Sequence, residues 1–130
     1  MAAVTTHDLP TVAGLWTGRD MRTQQELGLK PNVDGWEELR ARLCSQLGLA
    51  ADTPVPDVIV AVHRALADAP SLLVAATLDD AIAVAERPNM PGTIDEWPNW
   101  SLALPLSLEE VREHPLARQV AEALQRRDGR

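Results

Sequence analysis

Apolar positions along the chain alternate between helical spacing and unbroken runs, and these changes divide it into short elements. Trp36, Leu39, Leu43 and Leu47 recur three and four residues apart, which puts them on one face of a helix. Asp34-Gly35-Trp36-Glu37 has capping-box spacing and Gly48 supplies a stop, so the pattern predicts a helix ending near Leu47 whose stripe is core. Ile59, Val62 and Leu66 mark a second amphipathic helix over residues 57–66, entered through the Pro-containing linker 52–56 and ended by Ala69-Pro70.

Two shorter helical stretches precede these. Residues 9–16 read as a helix with Pro10 tolerated in its first turn, Asp8 available as N-cap and Gly18 as a stop. Residues 20–27 form the next, closed by Gly28 and Pro31.

Residues 71–78 are nearly continuously apolar between Pro70 and the pair Asp79-Asp80, the pattern of a strand buried on both faces. Residues 83–105 carry Pro88, Pro91, Pro98, Pro105, Gly92 and two Trp without either periodicity, which predicts a long loop. Ser107-Leu108-Glu109-Glu110 is a second capping box, opening a helix that breaks near His114-Pro115, and Leu116, Val120 and Leu124 define a terminal amphipathic helix. There is no internal repeat and no low-complexity segment.

Length bounds the architecture: 130 residues are one domain, against about 250 for a complete eight-stranded barrel. With no Phe, no Tyr and four Trp, core volume must come from Leu, Val, Ile and Ala, and each Trp needs its own reason. A net charge of -7 argues against nucleic acid or an anionic membrane as partner. The one basic cluster, Arg126, Arg127 and Arg130, is read as a complement to the last helix's dipole. Cys44 stands alone beside an apolar stripe and reads as an inert thiol in a reducing compartment. No stretch approaches the roughly 20 apolar residues of a membrane span and no leader is visible at Met1, so a cytoplasmic location is expected.

Three features are candidates for chemistry. His7-Asp8 opens a helix; on residue type alone Asp8 is most economically an N-cap and His7 a surface residue. Residues 86–100 mix carboxylates, amides and the indoles of Trp97 and Trp100, a set that suits sugars, whose C–H faces stack on aromatic rings while their hydroxyls hydrogen-bond outward. The alternative is a Pro-stiffened strap that its Trp residues pin to the core. Asp79-Asp80 ends the apolar run where a parallel barrel places functional groups, or it is a solvated turn opening the next short helix. The three His residues are scattered, so neither metal nor other cofactor is expected, and no phosphate loop or nucleophile elbow is present.

Two strings together carry a family resemblance. Thr6-His7-Asp8-Leu9-Pro10-Thr11-Val12-Ala13-Gly14-Leu15-Trp16 resembles the amylomaltase segment that contains the third catalytic carboxylate, and Glu86-Arg87-Pro88-Asn89-Met90-Pro91-Gly92-Thr93-Ile94-Asp95-Glu96-Trp97-Pro98-Asn99-Trp100 resembles that family's C-terminal loop. The resemblance spans nearly the whole chain but only the end of the family's sequence. The segments read above make a mostly α piece of five or six helices with one or two short strands, and the resemblance makes it α/β by descent, from the last units of a (β/α)8 barrel. It implies a retaining transglycosylase that transfers α-1,4-glucan segments between malto-oligosaccharides. Asp8 matches the transition-state stabiliser, His7 the histidine that contacts the sugar at the cleaved bond, and Asn89 the Asn-x-Pro-Gly loop, with Trp97 and Trp100 nearby as sugar contacts. The family's nucleophile and acid/base lie upstream of anything in this sequence. Catalysis would therefore need them from an N-terminal partner chain; the alternative is a non-catalytic module that binds oligosaccharide or protein. A partial barrel exposes apolar faces, so a homo-oligomer is expected.

Overall fold

The computed structural model describes residues 1–125, and Arg126, Arg127 and Arg130 lie outside them. In chain order the elements are β1 (Ala2–Ala3), α1 (Val12–Trp16), α2 (Arg19–Glu26), α3 (Val33–Leu47), α4 (Val55–Ala67), β2 (Val74–Ala75), α5 (Leu78–Ala81), α6 (Leu108–Glu113) and α7 (Pro115–Ala123). The fold is thus mostly helical with two short strands. β1 and β2 pair in parallel, Ala2 opposite Val74 and Ala3 opposite Ala75.

The core lies where α4 meets α1 and α7. Val58, Ile59 and Val62 of α4 cluster with Val12 and Trp16 of α1 and with Leu116 and Val120 of α7. Pro56 stands in the first turn of α4, where its missing N–H is not needed. The Ser107 capping box forms as the spacing predicts, and α6 stops where Pro115 starts α7.

Several expectations are corrected. Asp8 does not cap α1; Thr11 does, its hydroxyl accepting from the Gly14 N–H at 3.0 Å. The cap of α3 is likewise Asn32 rather than Asp34, which sits in the first turn. No residue of α3 is fully buried: Leu43 and Leu47 pack against the edge of the core, and Leu39 is 44% exposed. Polar anchors hold this helix instead. The Trp36 indole donates to the Leu15 carbonyl at 2.6 Å, and the Arg40 guanidinium stacks 4.5 Å over the Trp16 ring while its Nε donates to the Trp16 carbonyl at 3.1 Å. Leu stripes report which side of a helix faces inward, not how deeply it sinks.

The apolar run 71–78 is not a doubly buried strand. Only Val74 and Ala75 join the sheet, and Leu72 is 94% exposed, because β1 is the only strand paired with β2 among the described residues. Asp80 in turn is not part of a solvated turn: Thr77 caps α5 and the Asp80 side chain is completely buried.

Between Ala81 and Leu108 the chain runs without a regular element. Internal bonds hold its course. The Asn99 side chain accepts from the Met90 N–H at 2.7 Å and donates to Thr93 Oγ1 at 2.9 Å, and the Trp100 N–H donates to the Pro88 carbonyl at 2.9 Å. The loop starts against α1, where a Cβ on Gly14 would come within 2.4 Å of the Ala85 carbonyl oxygen, so a glycine is needed for this approach.

Candidate functional site

Residues far apart in sequence meet at the turn between β1 and α1. The Leu9 N–H donates to the Thr6 carbonyl at 3.1 Å, closing a turn whose two central residues are His7 and Asp8. Their side chains, each 55% exposed, contact one another with His7 Nε2 3.1 Å from Asp8 Oδ2. The other Asp8 oxygen, Oδ1, accepts from Asn89 Nδ2 at 2.8 Å. The Trp100 ring lies 5.0 Å from the His7 ring, tilted by 49°. Four of the five residues singled out in the sequence therefore form one solvent-facing rim.

Trp100 holds its place at some local cost. Its φ of 61° lies in the left-handed region, uncommon for a bulky residue, and its side chain is 66% exposed. A strained, exposed indole has no packing reason of its own.

Trp97, the fifth residue, plays a different part. It is half-buried and its Nε1 donates to the Arg87 carbonyl at 3.1 Å, so it pins the loop from behind rather than lining the rim. For this one indole the strap alternative describes its contacts.

Beneath the rim lies machinery that residue types alone did not reveal. Arg87 is buried, pairing with Asp20 through Nε at 2.6 Å and Nη2 at 2.5 Å, while its Nη1 donates to the Asp8 backbone carbonyl at 3.0 Å. A fork engaging one carboxylate with two parallel bonds fixes the guanidinium plane, and the free edge then reaches Asp8. Gln24 completes the set by donating to Asp20 Oδ2 at 2.8 Å. The only sequence signal for Arg87 was its place in the second string, and for Asp20 its position at the start of the helical stretch 20–27.

Two carboxyls outside the rim are shifted. Burial raises the Asp79 carboxyl above its usual range, with the neighbouring Asp80 charge adding to it and its own backbone N–H opposing. Glu96 is held below its usual range, chiefly by the Ile94 N–H, which donates to its Oε2 at 2.8 Å. Neither Asp79 nor Glu96 contacts Asp8, so the rim presents a single carboxylate.

The arrangement offers an anionic oxygen pair, an imidazole, a primary amide and an indole face within one patch. That set can hydrogen-bond sugar hydroxyls and stack on a pyranose face, and the carboxylate can stabilise positive charge developing on a ring. Two carboxylates about 5 Å apart across one bond, as retaining glycosyl transfer requires, are not assembled by these side chains. Among the described residues no group of three or more His, Cys, Asp or Glu could hold a metal ion, and no helix is long and apolar enough to cross a membrane. A cleft of 310 Å³ opens between α1, α2 and α3, lined by Met21, Trp36 and Leu39 and reached by Asp20, Gln24 and Arg87 from beneath the rim; His7, Asp8, Asn89 and Trp100 do not line it.

Comparison with known proteins gives the chain's family. The model of glycoside hydrolase family 77, described as 4-alpha-glucanotransferase, matches residues 1–107. The 4-alpha-glucanotransferases of Mycobacterium bovis and Mycobacterium tuberculosis are each 36% identical over 141 aligned positions, covering 95% of this chain and 20% of theirs. The crystal structure of amylomaltase from Corynebacterium glutamicum superposes with a TM-score of 0.78 at 28% identity, over 96% of this chain and 21% of that one. The chain therefore spans about a fifth of the length of the relatives it matches. With the family match running through both the His7-Asp8 turn and the loop that meets it, the chain belongs to the 4-alpha-glucanotransferase family, glycoside hydrolase family 77.

Proposed function

We propose that these residues are the C-terminal piece of an α-1,4-glucan transferase, in which the Asp8 carboxylate stabilises the transition state while His7, Asn89 and Trp100 hold the sugar. The observation that carries this reading is the meeting of the two family-like strings: Asn89 donates to Asp8, and Trp100 stands beside His7. Trp97 supports the same subsite from behind, through Arg87.

In a retaining transfer one carboxylate attacks the anomeric carbon and a second protonates the leaving oxygen, then activates the acceptor hydroxyl. Both would come from the upstream portion of such an enzyme, joined in one chain or supplied by an N-terminal partner chain. The elements of this chain would then be the last units of a (β/α)8 barrel. Exposed Leu72, Leu73 and Leu78 support that assignment, since they surround the strand that a barrel would flank on both sides. In a chain standing alone the same patch would drive formation of a homo-oligomer.

A second reading is favoured by the openness of the rim: His7 and Asp8 lie on the surface, as suits a non-catalytic module that binds oligosaccharide. Titration with maltose through maltoheptaose, run beside glucose release from maltotriose, separates the two. Binding without turnover is the expected result for these residues alone. Turnover abolished by Asp8→Ala would mean that a second carboxylate operates within them; silence in both assays would overturn the sugar reading.

A further inference from the structure

A completely buried carboxylate is costly to keep unless every lone pair is occupied, so its partners indicate what it is there to hold. Asp80 Oδ1 accepts from the Val12 N–H at 2.8 Å; Oδ2 accepts from Thr5 Oγ1 at 2.5 Å and from Thr77 Oγ1 at 3.1 Å. Thr77 is its own helix cap, a local matter. The other two partners come from residues 5 and 12, which bracket the turn that carries His7 and Asp8.

We propose that Asp80 is a positioning residue for the His7-Asp8 turn. The inference rests on the reading of that turn as a sugar subsite and adds the device that aims it. Thr5 is the last anchored residue before the turn and Val12 is the first residue of α1 after it, so one carboxylate fixes both ends of the span. Arg87 fixes the middle, at the Asp8 carbonyl. With three points held, the Asp8 backbone is set where its carboxylate can meet Asn89 through Oδ1 and His7 through Oδ2. Without the Thr5 bond, the span of seven backbone units to Val12 regains freedom at its upstream end, and the conformational entropy recovered there opposes the ordered turn. Neither contact involves the rim side chains themselves, so Asp80 acts through the backbone.

The chain itself supplies the reporter, with no sugar present. The Asn89 side-chain amide donates to Asp8, so its two 1H–15N NMR resonances report that bond, and an Asp8→Ala control gives their positions without it. Thr5→Val deletes one bond from Asp80 at a half-buried site while leaving the carboxylate in place. In Thr5→Val, and in Asp80→Ala where it folds, the Asn89 amide is expected to move to the Asp8→Ala shifts, while resonances of α4 and α7 stay unmoved. Asp80→Asn should restore the wild-type shifts in part, since its oxygen can still accept from Val12 and its amide can donate to the two hydroxyls. A purely structural Asp80 would lower the melting temperature in these variants and leave the Asn89 amide of Thr5→Val at its wild-type shifts; that result would overturn the proposal. Because sugar is absent, failure of the sugar reading and failure of this inference give different results.

Discussion

The Asn89 amide donates a 2.8 Å hydrogen bond to the Asp8 carboxylate across 81 residues of sequence. The bond is exposed, so it contributes little to stability, yet it holds Oδ1 of the carboxylate whose Oδ2 contacts His7. Asn89→Leu is therefore expected to change unfolding free energy by less than about 1 kcal/mol, while maltoheptaose affinity falls about tenfold, the equivalent of one charge-assisted hydrogen bond. Urea denaturation beside calorimetric titration checks both halves.

Arg87 and Asp20 form a buried pair with bidentate geometry. Removing one partner strands the other's charge, so Arg87→Ala should destabilise the chain by about 3–5 kcal/mol. Replacing both with apolar residues, Arg87→Met with Asp20→Leu, should recover most of that loss but still free the Asp8 carbonyl. Denaturation of the two singles and the double, closed as a cycle, reads the coupling.

Asp79 carries a penalty for ionising. Its folded-state carboxyl is raised by burial, so above the ordinary aspartate range the folded state binds the proton more tightly than the unfolded chain does, and stability falls as pH rises through that window. Asp79→Asn should consequently raise the melting temperature at neutral pH and give no gain at pH values below the ordinary aspartate range, where both states are protonated. Melting curves across that range test the sign.

Leu72 stands almost wholly in solvent beside the two-stranded sheet. If the patch drives association, Leu72→Lys should lower the mass of the chain in size-exclusion light scattering towards one copy. Its unfolding free energy should shift by no more than about 0.5 kcal/mol, as for any exposed position. A wild-type chain that is already monomeric would remove the homo-oligomer from the account.

Helix existence was legible in residue periodicity: α4 buries Ile59, Val62 and Leu66 where their spacing puts them, and the Ser107 box and the His114-Pro115 break stand as read. Depth was not. The Trp36 to Leu47 stripe faces the core without sinking into it, because a 15-residue helix can be tethered by one indole and one guanidinium as firmly as by leucines. The apolar run at 71–78 signalled a strand that wants cover on both sides, but pairing depends on which neighbours are present, and sequence pattern does not carry that. At the rim, the two strings named His7, Asp8, Asn89 and Trp100, which do meet. Asp80 was legible only as half of an acidic pair and Arg87 only as a letter of the second string, because a charged residue gives no sign of burial until its partner, 67 or more positions away, is known.

Mapping maltoheptaose onto the chain by 1H–15N NMR tests the central claim most directly. The account predicts saturable shift changes that gather at the Trp100 indole, the Asn89 side-chain amide and the backbone of His7 and Asp8, and that vanish in Trp100→Ala. Shifts that gather instead around Trp36 and Leu39 in the cleft between α1, α2 and α3, or no saturable shift at all, would contradict it.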